Sequence, residues 1–280
     1  MSKEKENIVV LIRVRDFELE ALTFNFDSEK WEKVESLNHR IYLVGGYNNT
    51  DEISSSVDVV DKHFQSTKAS SMNIARADFG ISKFDDRFTL VAGGYIGKNN
   101  NCNVYTKSCE IRDSFTDKWE KTSDLMISRG NFPLVYFNEK MLAIGGDSEK
   151  DGVLDSIESY DIKTKKWVTW STKLLENRQY HGAIAFENKF YVFGGVHQRK
   201  ICTSVEMYSL KTGQITLVTP IPIPIYIIGY CKRDRCIYLF GVSVLDDTTK
   251  HVQIYNTELD IWTTGVSLPC EVDIVTVFND

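Results

Sequence analysis

No apolar run in this chain is long enough to cross a membrane as a helix. The longest, "IPIPIYIIGY" at 221–230, is interrupted by prolines, and a helical span needs about 20 residues. The run from Ile8 to Ile12 is too short for the hydrophobic core of a secretory signal. Positive charge is also wanting. The net charge is −6 and Lys and Arg form no basic stripe, which removes the electrostatic case for a nucleic acid partner. The six cysteines (102, 109, 202, 231, 236 and 270) contain no CxxC pair and no Cys/His ligand spacing, so no metal site is predicted. Cys231 and Cys236 flank "KRDR" in an apparent hairpin, where a disulfide is one reading and reduced thiols in a β core the favoured one. HExxH, GxSxG and EF-hand patterns are missing, and the five histidines do not cluster. "GGYIGKNN" at 93–100 has the wrong glycine spacing for a phosphate loop and places Asn99 after Lys98. No cofactor is predicted. Asn48-Asn49-Thr50 is a glycosylation sequon by pattern, expected to be unused without a secretory signal. These features predict a soluble, cytoplasmic protein, with the nucleus left open.

What is present is a globular composition, 42% hydrophobic and 12% aromatic, arranged as a repeat. Five short apolar runs end on a Gly pair or its degenerate copy: "HRIYLVGG" (39–46), "RFTLVAGG" (87–94), "KMLAIGG" (140–146), "KFYVFGG" (189–195) and "CIYLFGV" (236–242). The first glycines stand at 45, 93, 145, 194 and 241, so the spacings are 48, 52, 49 and 47 residues. That period suits a four-stranded antiparallel unit, with the glycines freeing the backbone where the second strand must turn.

A second landmark follows. An aromatic and an Asp or Asn precede Trp at a fixed interval in Phe24-Asn25…Trp31, Tyr160-Asp161…Trp167 and Tyr255-Asn256…Trp262, while Arg112-Asp113…Trp119 keeps the Asp and the Trp. Thr67 and Ile215 stand where two further copies would carry Trp. The Asp or Asn opens the turn between the third and fourth strands, and the indole packs between neighbouring units.

Gly-Gly, then Tyr-Asp, then Trp at this period resembles the Kelch repeat, as found in the β-propellers of BTB-BACK-Kelch (Kelch-like) proteins. The resemblance covers almost the whole chain and implies an all-β, six-bladed Kelch propeller forming a single domain. Blade 1 takes residues 6–37 plus 272–280, so the C-terminal strand closes the first blade. Blades 2 to 6 follow as 38–72, 73–124, 125–172, 173–220 and 221–268. Blade 2 is irregular. From Trp, or its substitute, to the next Gly pair the chain takes 26 or 27 residues elsewhere, and 14 between Trp31 and Gly45. About twelve residues are missing from the strand a region, and residues 33–39 are expected to cross as a makeshift inner strand.

In such a propeller the connections between strands b and c and those entering strand a emerge on one face. The first set carries Tyr47, Asn49, Tyr95, Asn100, His197 and Arg199 as candidate partner-binding residues. The second carries Arg76, Arg129 and Arg178 at one register, with Tyr180 and His181 beside the last. Two readings of the arginines stand. The resemblance implies that they line a partner-binding surface, whereas buried bonding to backbone carbonyls of a neighbouring blade would make them structural. The resemblance further implies a non-catalytic protein-binding module, a substrate receptor for a cullin-type ubiquitin ligase. Actin or cytoskeletal binding is the alternative, and a Kelch-type sugar epimerase a lesser one. No BTB or BACK segment lies within the 280 residues. Cullin contact is therefore expected only through such segments, and this chain alone is expected to be a monomer.

Overall fold

Both residues of every Gly pair adopt positive φ, 57° and 82° at Gly45-Gly46 and 64° and 102° at Gly93-Gly94. Glycine reaches this region without steric cost, and each pair ends a second strand. The computed structural model describes residues 8–13, 19–25, 30–37, 40–48, 50–100, 102–243, 250–268 and 273–279. Asn49 and Cys270, named above, lie outside them. Among the described residues there are strands and turns and no helix.

Five sheets have four strands, lettered a to d here in the order they lie across the sheet. Sheet 1 is Asp273–Asn279, Ile8–Arg13, Leu19–Asn25 and Lys30–Val34. Sheet 3 is Gly80–Lys83, Phe88–Ala92, Cys109–Asp113 and Lys118–Lys121. Sheet 4 is Leu134–Phe137, Lys140–Ile144, Ile157–Asp161 and Lys166–Thr169. Sheet 5 is Gly182–Phe186, Lys189–Phe193, Val205–Ser209 and Gln214–Val218. Sheet 6 is Ile225–Arg233, Cys236–Ser243, Lys250–Asn256 and Ile261–Thr264. The fold class is thus the all-β propeller type built of antiparallel four-stranded blades. As predicted, the C-terminal strand completes sheet 1, pairing Phe278 with Val9.

Sheet 2 has three strands, in the order Ile41–Val44, Val57–Val60, Ser66–Ala69. The count of six complete blades is therefore not met: among the described residues five blades have four strands and sheet 2 has three. Of the makeshift strand expected at 33–39, the described residues 33–37 form no inner strand of sheet 2. Lys33 and Val34 pair with Leu22 and Ala21 as strand d of sheet 1, and the Leu37 amide donates to the Lys62 carbonyl. The 14 residues from Trp31 to Gly45 thus hold the end of sheet 1's last strand and the whole of Ile41–Val44. The strand Ile41–Val44, which has one strand neighbour among the described residues, is half-buried throughout, whereas Met141–Ile144 at the same register of sheet 4 is fully buried.

Contacts divide the chain into two compact units. One comprises 1–41, 59–66 and 218–280, and the other 42–58 and 67–217. Sheets 1 and 6 belong to the first unit, sheets 3 to 5 to the second, and the strands of sheet 2 are divided between them. In the second unit, Leu90, Met141, Tyr160 and Trp167 share one core cluster, and Leu142, Phe190, Val192 and Tyr208 another. In the first, Phe240, Val252 and Leu268 pack with Trp31.

The Trp landmark works as read. Trp119 donates to the Ser70 carbonyl, and Trp262 to that of Thr219. Asp161 accepts the Thr164 amide at 2.8 Å and Asn256 the Leu259 amide at 3.0 Å, each closing its turn. Where Ile215 has replaced Trp, Trp170 comes from the preceding blade to lie 5.1 Å from Tyr208, matching the 5.2 Å of Tyr160 to Trp167. In sheet 6, Gly241-Val242 does not turn, and the strand continues to Ser243. Cys231 faces Tyr238 across that hairpin and Arg233 faces Cys236, so the two thiols are out of register and both are free.

Candidate functional site: a tyrosine and carboxylate cluster

The three arginines at one register are wholly buried, each with 0% exposure. Arg76 donates to the carbonyls of Gly93 and Ser108 and to Glu110 Oε1. Arg129 repeats the pattern on Gly145, Ser156 and Glu158, and Arg178 on Gly194, Ser204 and Glu206. Their own carbonyls accept from the Gly pair one repeat back: Gly46 to Arg76, Gly94 to Arg129, Gly146 to Arg178. Burial pushes the Arg76 and Arg129 guanidiniums down from their usual pKa, and Glu110 and Glu158 oppose that shift. The surface reading of Arg76, Arg129 and Arg178 is overturned, because each guanidinium is wholly buried and closed on two carbonyls and a buried carboxylate, and the Nε it leaves unpaired is buried with it. The carboxylates also accept backbone amides of the strand-entering loops, Met126 and Ile127 at Glu158 and Leu175 and Glu176 at Glu206. The arginines therefore rivet each loop to its blade.

His181 is also buried. It takes the register held by Phe79 and Phe132, each wedged between the first glycine of the preceding repeat's pair and the second glycine of its own. Burial lowers its pKa well below the ordinary value, with Arg178 adding to this, so the imidazole is neutral and acts as an aromatic wedge. Its place on the binding surface is likewise corrected. His197 is half-buried and its Nδ1 lies 2.8 Å from the Asn177 carbonyl. Arg199 is exposed at φ 64° in the two-residue turn of the ribbon Val196–His197 and Lys200–Ile201. Asn100 is exposed at φ 48° in the turn of the ribbon Tyr95–Asn99 and Cys102–Tyr105. That ribbon occupies the glycine-containing segment 93–100, whose spacing did not fit a phosphate loop.

Tyr47, Tyr95 and Tyr180 do come together, and they bring four residues that sequence reasoning missed. The Tyr47 hydroxyl donates to Asp78 Oδ2 at 3.4 Å, and its ring lies 6.4 Å from that of Tyr95. Tyr95 in turn meets Tyr105 edge to face at 6.2 Å. The Tyr105 hydroxyl donates to Asp147 Oδ2 at 2.9 Å and accepts from the Asn131 amide at 3.3 Å. Backbone bonds fix the arrangement: the Asn131 amide donates to the Asp78 carbonyl and the Tyr180 amide to the Asn131 carbonyl.

Two registers of the repeat supply six of these seven residues. Tyr47, Tyr95 and Asp147 each follow a Gly pair, and Asp78, Asn131 and Tyr180 each lie two residues beyond an arginine. Reciprocal backbone bonds of Tyr95 with Ala77 and of Asp147 with Gly130 set one register beside the other. Asp78, Asn131 and Tyr180 have φ of 53°, 57° and 54°. Asp and Asn enter that region readily, whereas a bulky aromatic is rare there. Comparing residues at those two registers across repeats would have found Asp78, Asn131 and Asp147. Tyr105 sits where its ribbon slips register between Val104 and Tyr105, and no sequence pattern marks it.

The cluster is acidic and crowded. Tyr47 is pushed up to about 12, by burial first and then by Asp78. Tyr105 and Tyr180 are raised for the same first reason, with the carboxylates adding to it. Asp78, solvent-accessible as a residue, has its carboxyl raised by partial burial, against the hydrogen bond from Tyr47.

Residues 81–272, more than half of the chain, match the KLHDC2/KLHL20/DRC7 Kelch-repeats domain. The chain is 27% identical over 204 residues to human "Kelch repeat and BTB domain-containing protein 8", covering 70% of this chain and 33% of that protein. It is 25% identical over 268 residues to bovine (Bos taurus) "Kelch-like protein 36", covering 86% of this chain and 42% of that protein. With zebrafish (Danio rerio) "Kelch-like protein 26" the identity is 23% over 265 residues, 76% of this chain and 43% of that protein. The chain thus spans between a third and a half of these relatives' lengths.

Proposed function

The chain belongs to the KLHDC2/KLHL20/DRC7 Kelch-repeats domain family, and on that footing we propose that it is a non-catalytic module that captures a protein partner on the loops carrying the tyrosine and carboxylate cluster. One observation carries this reading. Tyr47 and Tyr180 are 52% and 57% exposed yet held by backbone bonds and by neighbouring side chains from different repeats. Rigid, exposed tyrosines offer a large contact area at small entropic cost and are typical anchors of protein interfaces.

The relatives whose names include a BTB domain suggest the role. The partner would be a substrate brought to a cullin-type ubiquitin ligase, with cullin contact made through BTB and BACK segments and not through the propeller. Binding of actin or another cytoskeletal protein is the second reading. A Kelch-type sugar epimerase would need an Arg, His and Glu set open to a ligand. Arg178, His181 and Glu206 are buried, and the Arg and Glu are bonded to each other, which argues against that use of them. A cytoplasmic location is part of the proposal.

The test is affinity purification with the chain as bait, comparing wild type with Tyr47→Ala plus Tyr180→Ala. Proteins retained by the wild type and lost by the variant are expected, and actin co-sedimentation separates the two readings. Identical recovery of every protein by wild type and variant would sink the proposed surface.

A further inference from the structure

The cluster contains a chemical preference, and its derivation rests on the protein-binding reading just given. Its polar atoms are lopsided. Asp78 and Asp147 present carboxylates, Tyr47 and Tyr105 direct their hydroxyl protons at those carboxylates, the Tyr47 and Tyr95 rings lie 6.4 Å apart beside them, and Tyr180 is near enough to interact with both. The three arginines nearest in sequence, one in each strand-entering loop, are closed on Glu110, Glu158 and Glu206. Among the described residues no Lys or Arg lowers the Asp78 pKa.

A second observation is independent of the carboxylates. Asn131, only 8% exposed, spends its amide nitrogen on the Tyr105 hydroxyl. Its Oδ1 is buried without a hydrogen-bond partner, an acceptor left over beside the Tyr105 and Asp147 pair. Such a group costs about 1–3 kcal/mol when desolvated and unpaired, so a donor entering the cluster gains by satisfying it. Carboxylates, π faces and a spare carbonyl oxygen all ask for one thing, a cation rich in N–H donors.

We infer that this face takes an arginine side chain presented by the protein partner. The planar guanidinium stacks on tyrosine faces and forks toward carboxylates, which a compact ammonium does less well. Asp78 and Asp147 come from different repeats, so both are engaged only by a group that enters the cluster. The surrounding tyrosines then exclude water from the contact.

The probes are immobilised hexapeptide pools, randomised except for one central position fixed as Arg, Lys, citrulline or Glu. The folded chain should be retained by the Arg pool at least about tenfold more than by the citrulline pool, with Lys intermediate and Glu lowest. Asp78→Asn combined with Asp147→Asn should erase the preference without lowering the melting temperature. Asn tolerates the φ at position 78 and keeps an acceptor for each tyrosine hydroxyl. Equal retention by Arg and citrulline, preference for Glu, or a preference that survives the double variant would overturn the inference. If partners still depend on Tyr47 and Tyr180 in the affinity purification while the pools show no preference, the arginine inference fails and the module reading stands. If Tyr47→Ala plus Tyr180→Ala leaves every captured protein unchanged, the module reading fails first.

Discussion

The Arg129 guanidinium donates to Glu158 Oε1 across 2.7 Å with neither side chain exposed, and the same pair recurs as Arg76 with Glu110 and Arg178 with Glu206. In sheet 6 the Arg register holds Ile225 and the Glu register Gln253. Gln253 bonds both the amide and the carbonyl of Ile223. In sheets 3 to 6 charge is thus absent at both positions or present at both, as a buried ion pair requires.

Arg129→Ile alone should destabilise the chain by about 3–5 kcal/mol, because it strands a buried carboxylate. Arg129→Ile with Glu158→Gln reproduces the sheet 6 solution and should recover a large part of that loss. Urea denaturation of the wild type, both single variants and the double variant measures the coupling; additive single effects would contradict it.

Tyr180→Asn should stabilise the chain by about 1 kcal/mol, since Asn meets φ 54° with less strain than tyrosine does. The same change should weaken partner capture. A thermal midpoint that falls would show that the Tyr180 ring contributes more through packing than it costs through its backbone.

Because the Asp78 carboxyl is raised, the folded state holds its proton more tightly than the unfolded chain does. The stability linked to that proton is present in acid and is lost as pH rises through the raised value. Asp78→Asn should therefore raise the urea midpoint at pH 7, and the advantage should shrink toward about pH 3, where carboxylates of either state are largely protonated. A variant less stable than wild type at pH 7 would contradict this.

Burial pushes the thiols of Cys109 and Cys231 up to about 12, whereas Cys102 is exposed. Iodoacetamide at mildly alkaline pH should modify Cys102 first and reach Cys109 and Cys231 only on unfolding, as the thiolate is the reacting form. Peptide mass spectrometry over time reads the order, and early modification of Cys109 would exclude the buried site.

The sequence alone carried the repeat. Gly pairs that need positive φ, Asp and Asn that close turns, and Trp at a constant interval are local requirements, each readable from neighbouring residues. The C-terminal strand completing sheet 1 followed from the same register, and the 14 residues between Trp31 and Gly45 announced the defect in sheet 2. Where those residues would go was not legible, since pairing Val34 with Ala21 in sheet 1 or crossing toward sheet 2 satisfies the same local preferences. Tertiary structure also decided the arginines. A conserved-looking register says that a residue is needed, not whether it faces solvent, and only the approach of Glu110, Glu158 and Glu206 shows that the guanidiniums are consumed. The tyrosine and carboxylate cluster has the same origin. Its members come from residues 47 to 180 and become neighbours only because backbone bonds within a repeat set the two registers side by side and others, Asn131 to Asp78 and Tyr180 to Asn131, join successive repeats.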